Sequence, residues 1–170
     1  EGLYTVAGVG VSIKAGGLAV SAGVVTVTDG YIDVSDSSRN TRIGTNAGDS
    51  FSGTTTDNTL IGYDAGTAIT SGDFNVAVGS YAMDANTTAT SNTAVGYKAQ
   101  ETSTTIGGIT AIGYYALNAL STGTAASGLG YRALESNTTG NSNTAFGYDA
   151  GRAITTGSDN VVVGAYALDA

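Results

Sequence analysis

The sequence predicts an all-β chain: a trimeric parallel β-solenoid, or β-roll, with 17-residue coils, preceded by a short intertwined β-prism segment. A hydrophobic residue followed by glycine recurs at a nearly constant interval, and its companion residues keep fixed offsets. The first forty residues follow a different, shorter period. Helical repeats need about 33 residues or more, so units of this length favour short strands and turns. We therefore divide the chain into residues 1–38 and 39–170.

The hydrophobic-glycine pair defines the solenoid. Its first spacing is 18 residues and the next six are 17. The pairs are Ile43-Gly44, Ile61-Gly62, Val78-Gly79, Val95-Gly96, Ile112-Gly113, Leu129-Gly130, Phe146-Gly147 and Val163-Gly164. An alanine follows each glycine by three residues, and an asparagine precedes it by four residues in six of the eight units. This register predicts eight stacked coils over residues 39–170, each with two short strands and two turns.

Within one coil the residues alternate, so that Val76 and Val78 share a face, which we expect to point inward. The glycine suits a bend or a site with positive φ, and the asparagine suits a turn or a side-chain ladder. Residues 114–120 are rich in alanine and leucine, and a short helical turn is the alternative there. A glycine inside every unit opposes any longer helix.

The N-terminal segment, residues 1–38, carries a period of seven. Gly16, Gly23 and Gly30 separate four-residue alternations of apolar and polar residues at 11–14, 18–21, 25–28 and 32–35. Strands this short are difficult to bury within one chain. Three chains wound together, each supplying one wall of a triangular prism, would share a core.

Limited burial also predicts a homotrimer for the solenoid. A coil offers about two medium apolar side chains and an alanine, which hardly offset ~1–2 kcal/mol per residue of backbone ordering. Three chains around an axis form a closed arrangement that shares the core. Residues 147–170 match residues 62–85 at 17 of 24 positions, without the polar terminal unit that caps a solenoid. From this, and from a first residue that is not Met, we expect a longer natural protein or another element over this end.

Composition argues against several functions. The chain contains no Cys, His, Pro or Trp, which removes the commonest general base and the usual zinc ligands. A formal net charge of −8 repels nucleic acid and anionic lipid. No apolar run reaches the ~18 residues of a membrane span. We expect no catalytic residues, no metal, no cofactor, no nucleic-acid partner and no membrane insertion.

Segments 40–47 (NTRIGTNA), 92–99 (NTAVGYKA) and 155–160 (TTGSDN) resemble the repeats of phage tail-fibre proteins. They are also similar to the head repeats of trimeric autotransporter adhesins, which carry an Asn-Ser-x-Ala-Ile-Gly core. The resemblance covers residues 40–170 well and residues 1–39 loosely. It implies a trimeric, left-handed parallel β-roll with an attachment or spacer role. The period of 17 is longer than the adhesin unit, and no coiled-coil stalk or membrane anchor is visible, which favours the phage fibre.

The function expected is therefore that of a non-enzymatic segment of a phage tail fibre. It would be located in the virion and act as a rigid rod or attachment module for adsorption to a host surface. Its partners would be two further copies, other fibre or virion proteins and a host-surface glycan. The alternative is a bacterial trimeric adhesin head that binds a ligand at the cell surface.

Tyrosines supply the candidate glycan contacts, because aromatic faces stack on sugars. Five of them follow the repeat glycine directly: Tyr63, Tyr97, Tyr114, Tyr131 and Tyr148. Equivalent positions on successive coils form a column. The competing interpretation is a packing ladder between coils or between chains.

Carboxylates define a weaker candidate. Asp84 and Glu101 occupy equivalent positions on adjacent coils, within the ~5–9.5 Å that glycoside hydrolysis needs, and they alone would support a polysaccharide-degrading tailspike. The same column predicts a surface ion-pair ladder of Glu135, Arg152 and Asp169.

Two further patterns are expected to carry less weight. Regular threonines such as Thr41, Thr59 and Thr93 would suit an ice-binding solenoid, although we expect them to point inward with the apolar residue. Asn86 and Asn137 begin glycosylation sequons, which are expected by chance in so Thr-rich a chain.

Overall fold

The computed structural model describes residues 37–169, so the predicted prism segment, residues 1–38, lies almost entirely outside the described part. Each of the eight strands has three residues. They are β1 (Thr41–Ile43), β2 (Thr59–Ile61), β3 (Val76–Val78), β4 (Thr93–Val95), β5 (Thr110–Ile112), β6 (Ser127–Leu129), β7 (Thr144–Phe146) and β8 (Val161–Val163). No helix occurs between residues 37 and 169, and residues 114–119 form turns. The all-β prediction is confirmed, and the helical alternative is wrong.

The strands form one parallel sheet in the order β1 to β8. Each strand pairs with the next one along the chain, and Thr93, for example, lies opposite Thr110. Backbone hydrogen bonds continue around the coil outside the strands: Tyr115 N donates to Tyr97 O at 3.0 Å, and Leu117 N donates to Ala133 O at 3.0 Å. Successive coils of about 17 residues therefore stack directly, and the predicted parallel solenoid is confirmed. The prediction of two strands per coil is wrong, because each coil contributes one three-residue strand and turns form the rest of it.

Each coil closes through left-handed backbone positions. In the fourth coil these are Ser91 (φ 61°), Gly96 (φ 135°), Lys98 (φ 56°) and Gln100 (φ 51°). A left-handed conformation costs an ordinary residue ~1–2 kcal/mol, so stacking must compensate. At the glycine the requirement is stricter, because a Cβ on Gly96 would lie 2.4 Å from the carbonyl oxygen of the equivalent glycine on the next coil. Close stacking of backbones therefore explains the recurring glycine.

From β2 to β8 the middle residue of each strand lies in the interior of the coil, whereas Arg42 of β1 is exposed. Ala77, Ala94 and Ala111 are fully buried, whereas the residues on either side of them in β3, β4 and β5 are only partly buried. Val76 and Val78 do share a face, as predicted, but the expectation that this face points inward is wrong. A 17-residue coil encloses so narrow a space that alanine fits the middle position, and the larger side chains are left outside.

Two further sets of side chains fill the interior. The alanines that follow each glycine by three residues are buried from Ala47 to Ala150, and they pack with larger residues at neighbouring positions. The larger buried residues include Leu60, Ile69, Met83, Ile109, Leu117, Leu120 and Leu134. The repeat alanine is therefore a packing residue, whose small size lets the coil close.

Buried asparagines connect the coils. Asn75 N donates to Asn58 Oδ1 at 2.9 Å, and Asn92 N donates to Asn75 Oδ1 at 3.0 Å. The amide of Asn75 also donates to Ala89 O at 2.9 Å, across its own coil. The predicted asparagine ladder is therefore present, and it is interrupted where Ile109 and Ala126 replace asparagine.

Candidate functional site: an exposed sheet face and a tyrosine column

The outer sheet face consists of the first and third residues of each strand. Its members are Thr41, Ile43, Thr59, Ile61, Val76, Val78, Thr93, Val95, Thr110, Ile112, Ser127, Leu129, Thr144, Phe146, Val161 and Val163. Every residue of this face is uncharged, although the chain carries 6 basic and 14 acidic side chains. The face is most open toward β8, where Val161 is 77% and Val163 is 66% exposed.

This face gives the recurring hydrophobic residue a different role from the one predicted. The third-position residues Ile43, Leu129 and Phe146 are 47%, 39% and 55% exposed. Burying large apolar residues requires a partner surface, and the coil interior does not provide it. Residue size was the clue in the sequence to which face points inward. The middle position is alanine in four of the eight strands, and a residue this small fits the narrow interior of the coil.

A groove crosses the outer sheet face at β6 and β7. Its volume is about 320 Å³, and the small residues Gly128 and Ala145 are part of its lining. Ser127 stands on one side, where most coils carry threonine or valine, and Leu129 and Phe146 stand on the other. The groove is therefore a side-chain-sized apolar recess in an otherwise repetitive surface.

The tyrosine column lies beside this face, because its members follow the repeat glycine either directly or, at Tyr81, Tyr115 and Tyr166, one residue later. Each ring contacts at least one other ring of the column, and Tyr115 packs beside Tyr97 and Tyr114 and not on Tyr131. The members are Tyr63, Tyr81, Tyr97, Tyr114, Tyr115, Tyr131, Tyr148 and Tyr166. The rings of Tyr114 and Tyr131 are 5.1 Å apart and nearly parallel, and those of Tyr131 and Tyr148 are 4.7 Å apart. Desolvation by its surroundings raises the pKa of the Tyr114 hydroxyl.

This stacking bears on the predicted glycan contacts. All five predicted tyrosines are between 37% and 47% exposed, so the solvent reaches them. In the stacked part of the column, however, each ring covers a face of its neighbour. A sugar packs on an aromatic face, so the exposed edges and hydroxyls are better suited to hydrogen bonding than to stacking. The geometry thus supports a packing ladder, and glycan binding stays a prediction.

Two cationic side chains, those of Lys98 and Arg132, lie over rings in the middle of this column. Lys98 Nζ lies 5.5 Å from the ring centre of Tyr81 and 5.8 Å from that of Tyr97, and it pairs with Glu101 at 2.8 Å. Arg132 lies 5.9 Å from the ring centre of Tyr131. Cation–π contacts of this kind stabilise the ring positions.

The predicted carboxylate pair is divided between two environments. Glu101 is neutralised by Lys98 and accepts a hydrogen bond from Asn118 Nδ2 at 2.9 Å. Asp84 has a raised pKa, because burial disfavours its charged form and the carboxylates of Asp64 and Glu101 add repulsion. The two carboxyl groups therefore differ in charge environment, one ion-paired and one partly buried, and a catalytic role for them stays a prediction.

The predicted ion-pair ladder is only partly correct. Arg152 does contact Asp169, at 3.2 Å, and it also lies 3.6 Å from Asp149. Glu135 instead pairs with Arg132 at 2.6 Å within its own coil. The i,i+3 spacing across a tight turn brings that partner closer than the residue on the next coil.

The two sequon asparagines are structural. Asn86 and Asn137 are fully buried, and their side-chain oxygens accept hydrogen bonds from Ala89 N and Gly140 N. The threonines at the first position of the strands, by contrast, belong to the outer sheet face, so the expectation that they point inward is wrong. Sequence reasoning missed Gln100 and Ser103, which are fully buried in a largely apolar interior.

Within residues 37–169, no group of three or more acidic, histidine or cysteine side chains could hold a metal ion. The same residues include no helix that could cross a membrane. Comparison with protein-family models, curated proteins and solved structures found no match. The fold defines an all-β repeat protein, a parallel β-solenoid.

Proposed function

We propose that this chain is a non-enzymatic structural segment of a homotrimeric surface fibre, of the kind that forms phage tail fibres. The observation that carries the proposal is the uncharged outer sheet face, whose large apolar side chains are left exposed by a coil too narrow to enclose them. Protein interfaces are depleted of charge at their centre, and this face has the same composition. Three chains that cover it would form a rod with a shared core.

The available area supports a permanent association. The central residues Ile61, Val78, Val95 and Ile112 are only partly exposed, whereas the most exposed large side chains of the outer sheet face and the tyrosine column are 37–77% exposed. They offer on the order of 1,000 Å², taking ~150–250 Å² for a fully exposed large side chain. A standard interface buries ~800 Å² per partner, and the largest apolar patch on a monomer is usually ~300–600 Å². An isolated chain would therefore expose more apolar surface than is usual for a soluble monomer.

A direct test places a charge on the proposed interface. Ile112→Asp changes the centre of the outer sheet face, whereas Thr90→Asp adds the same charge at an exposed site away from the strands. We expect the unmodified chain and the Thr90→Asp variant to sediment as trimers. The Ile112→Asp variant should sediment as a monomer or an aggregate. A trimer that is indifferent to Ile112→Asp would remove the outer sheet face from the interface.

The bacterial adhesin head remains the alternative function, because the same trimeric roll would serve it. A natural chain that continues into a coiled coil and a membrane-anchoring barrel would favour the adhesin. Detection of the chain in purified virions by mass spectrometry would favour the fibre. In either setting a host-surface glycan is the proposed ligand of the tyrosine column, and loss of glycan-array binding on Tyr131→Ala would support it.

An ice-binding surface is a second candidate, since the threonines of the outer sheet face point outward at regular spacing. The bulky Leu129 and Phe146 beside them make the surface uneven, which suits protein packing better than a flat lattice. Thermal hysteresis in a dilute solution of the chain would favour ice binding over the fibre.

A further inference from the structure

Lateral association of this solenoid raises a problem of register. The outer sheet face repeats with each coil, and parallel strands lie ~4.8 Å apart, so neighbouring chains could slide by one coil and still match apolar columns. Alternative registers of similar energy are a known hazard of repetitive surfaces. A trimer with one defined arrangement needs an irregular feature on that face.

The irregular feature is at β6 and β7. There the smallest first-position residue, Ser127, stands next to the largest third-position residue, Phe146. Phe146 is 55% exposed, and the groove beside it is about 320 Å³ in volume. A water molecule takes up ~30 Å³ in the liquid, so this groove is large enough for a side chain. A protruding ring and a recess thus lie on one surface of one chain.

We propose that the Phe146 side chain of one copy packs into the groove of an adjacent copy and fixes the axial register of the chains. The inference rests on the proposed trimer. The groove extends from Thr110 on β5 to Phe146 on β7, and so includes the level of Phe146 itself. In a closed ring of copies at equal height, the ring of each neighbour reaches that end of the groove. The partner is therefore a second copy of this chain, and the contact is apolar.

Engineered cysteines test the register, because the chain has none of its own. Chains with Val78→Cys and chains with Val95→Cys are unfolded, mixed in equal amounts, refolded and oxidised. In register, an introduced thiol lies opposite another thiol only where the neighbouring chain carries the same variant, so disulfides between the two variants stay rare. We expect this mixed product to rise about threefold when both chains also carry Phe146→Val, because the discriminating contact is lost. Ile112→Val, a truncation in the same column outside the groove, is the matched control and should leave the product ratio unchanged.

A second variant distinguishes loss of the register contact from an effect of Phe146→Val on folding. Ser127→Phe fills the groove and leaves Phe146 in place, and we expect the same rise in mixed disulfides. Light scattering on every sample separates the two claims. If the unmodified chain is monomeric, the proposed function itself fails. If it is trimeric but neither Phe146→Val nor Ser127→Phe alters the disulfide ratio, the register contact is overturned and the trimer stands.

Discussion

Asn58 Oδ1 lies 2.9 Å from the backbone nitrogen of Asn75, and 3.1 Å from the side-chain nitrogen of the same residue. Both residues are fully buried, one coil apart. The amide of one asparagine thus satisfies two donors of the next, and the backbone bond of this relationship repeats from Asn40 to Asn92. In the coils that carry it, this asparagine serves as donor and acceptor and links the stack where a shorter apolar residue would leave backbone groups unpaired.

Breaking this ladder should cost stability. In Asn75→Ala, Ala89 O loses its side-chain donor and Asn92 N loses its acceptor. Buried groups without partners cost ~1–3 kcal/mol each, so we expect the free energy of unfolding to fall by about 2–4 kcal/mol. Asn160→Ala, at the partly buried last rung, should cost about 1 kcal/mol. Denaturant unfolding at a fixed chain concentration measures both, and equal losses would refute the ladder.

The repeat glycine should tolerate no side chain. In Gly96→Ala the new Cβ would lie 2.4 Å from the carbonyl oxygen of Gly113, so adjacent coils must separate. We expect a loss on the order of 3–5 kcal/mol, or failure to fold. Gly108 also has positive φ, but nothing lies within 4 Å of its Cβ position. Gly108→Ala should therefore cost only about 1 kcal/mol of conformational strain, and a similar loss in Gly96→Ala would contradict the stacking argument.

Replacing Gln100 by an apolar residue should increase the stability of the fold. Both polar atoms of its side chain are buried without a hydrogen-bond partner among the described residues. The equivalent positions on the adjacent coils are Met83 and Leu117, both fully buried. We expect Gln100→Met to raise the free energy of unfolding by about 1–3 kcal/mol, and the reverse change Met83→Gln to lower it similarly. A destabilised Gln100→Met protein would show that the amide is satisfied after all.

Asp84 should make stability depend on pH. Burial, followed by the charges of Asp64 and Glu101, raises its pKa in the folded protein. The folded chain then holds this proton more tightly than the unfolded chain, so ionised Asp84 opposes folding above its folded pKa, and this penalty disappears below the unfolded pKa of ~3.9. We expect Asp84→Asn to be more stable than the unmodified chain at neutral pH, and the advantage to vanish in acid. An advantage that persists unchanged in acid would assign the effect to packing.

Much of the fold was predictable because the repeat is rigid. A constant spacing of hydrophobic-glycine pairs requires coils of equal length, and equal coils stack in parallel, as the pairing of Val95 with Ile112 shows. The asparagine ladder followed from a polar residue held in the same register. The alternation in residues 75–79 did not show which face of the strand points inward, because either face satisfies a period of two.

Side-chain partners were less predictable than columns. Glu135, Arg152 and Asp169 do occupy equivalent positions, but Glu135 pairs with Arg132, three residues away across a left-handed turn. Gln100, Phe146 and the groove lined in part by Gly128 depart from the repeat at single positions, so no periodicity announces them. The role of each of these features depends on which neighbouring side chains are buried, and burial is known only from the folded coil.

The central claim is that the outer sheet face is buried between three copies. The most direct test is the mass of the intact chain in solution by light scattering, with and without mild heating. A heat-resistant mass near three times 16.7 kDa would agree with a shared core. A folded, monodisperse particle of 16.7 kDa would contradict it and identify the chain as a self-contained solenoid with an exposed apolar sheet.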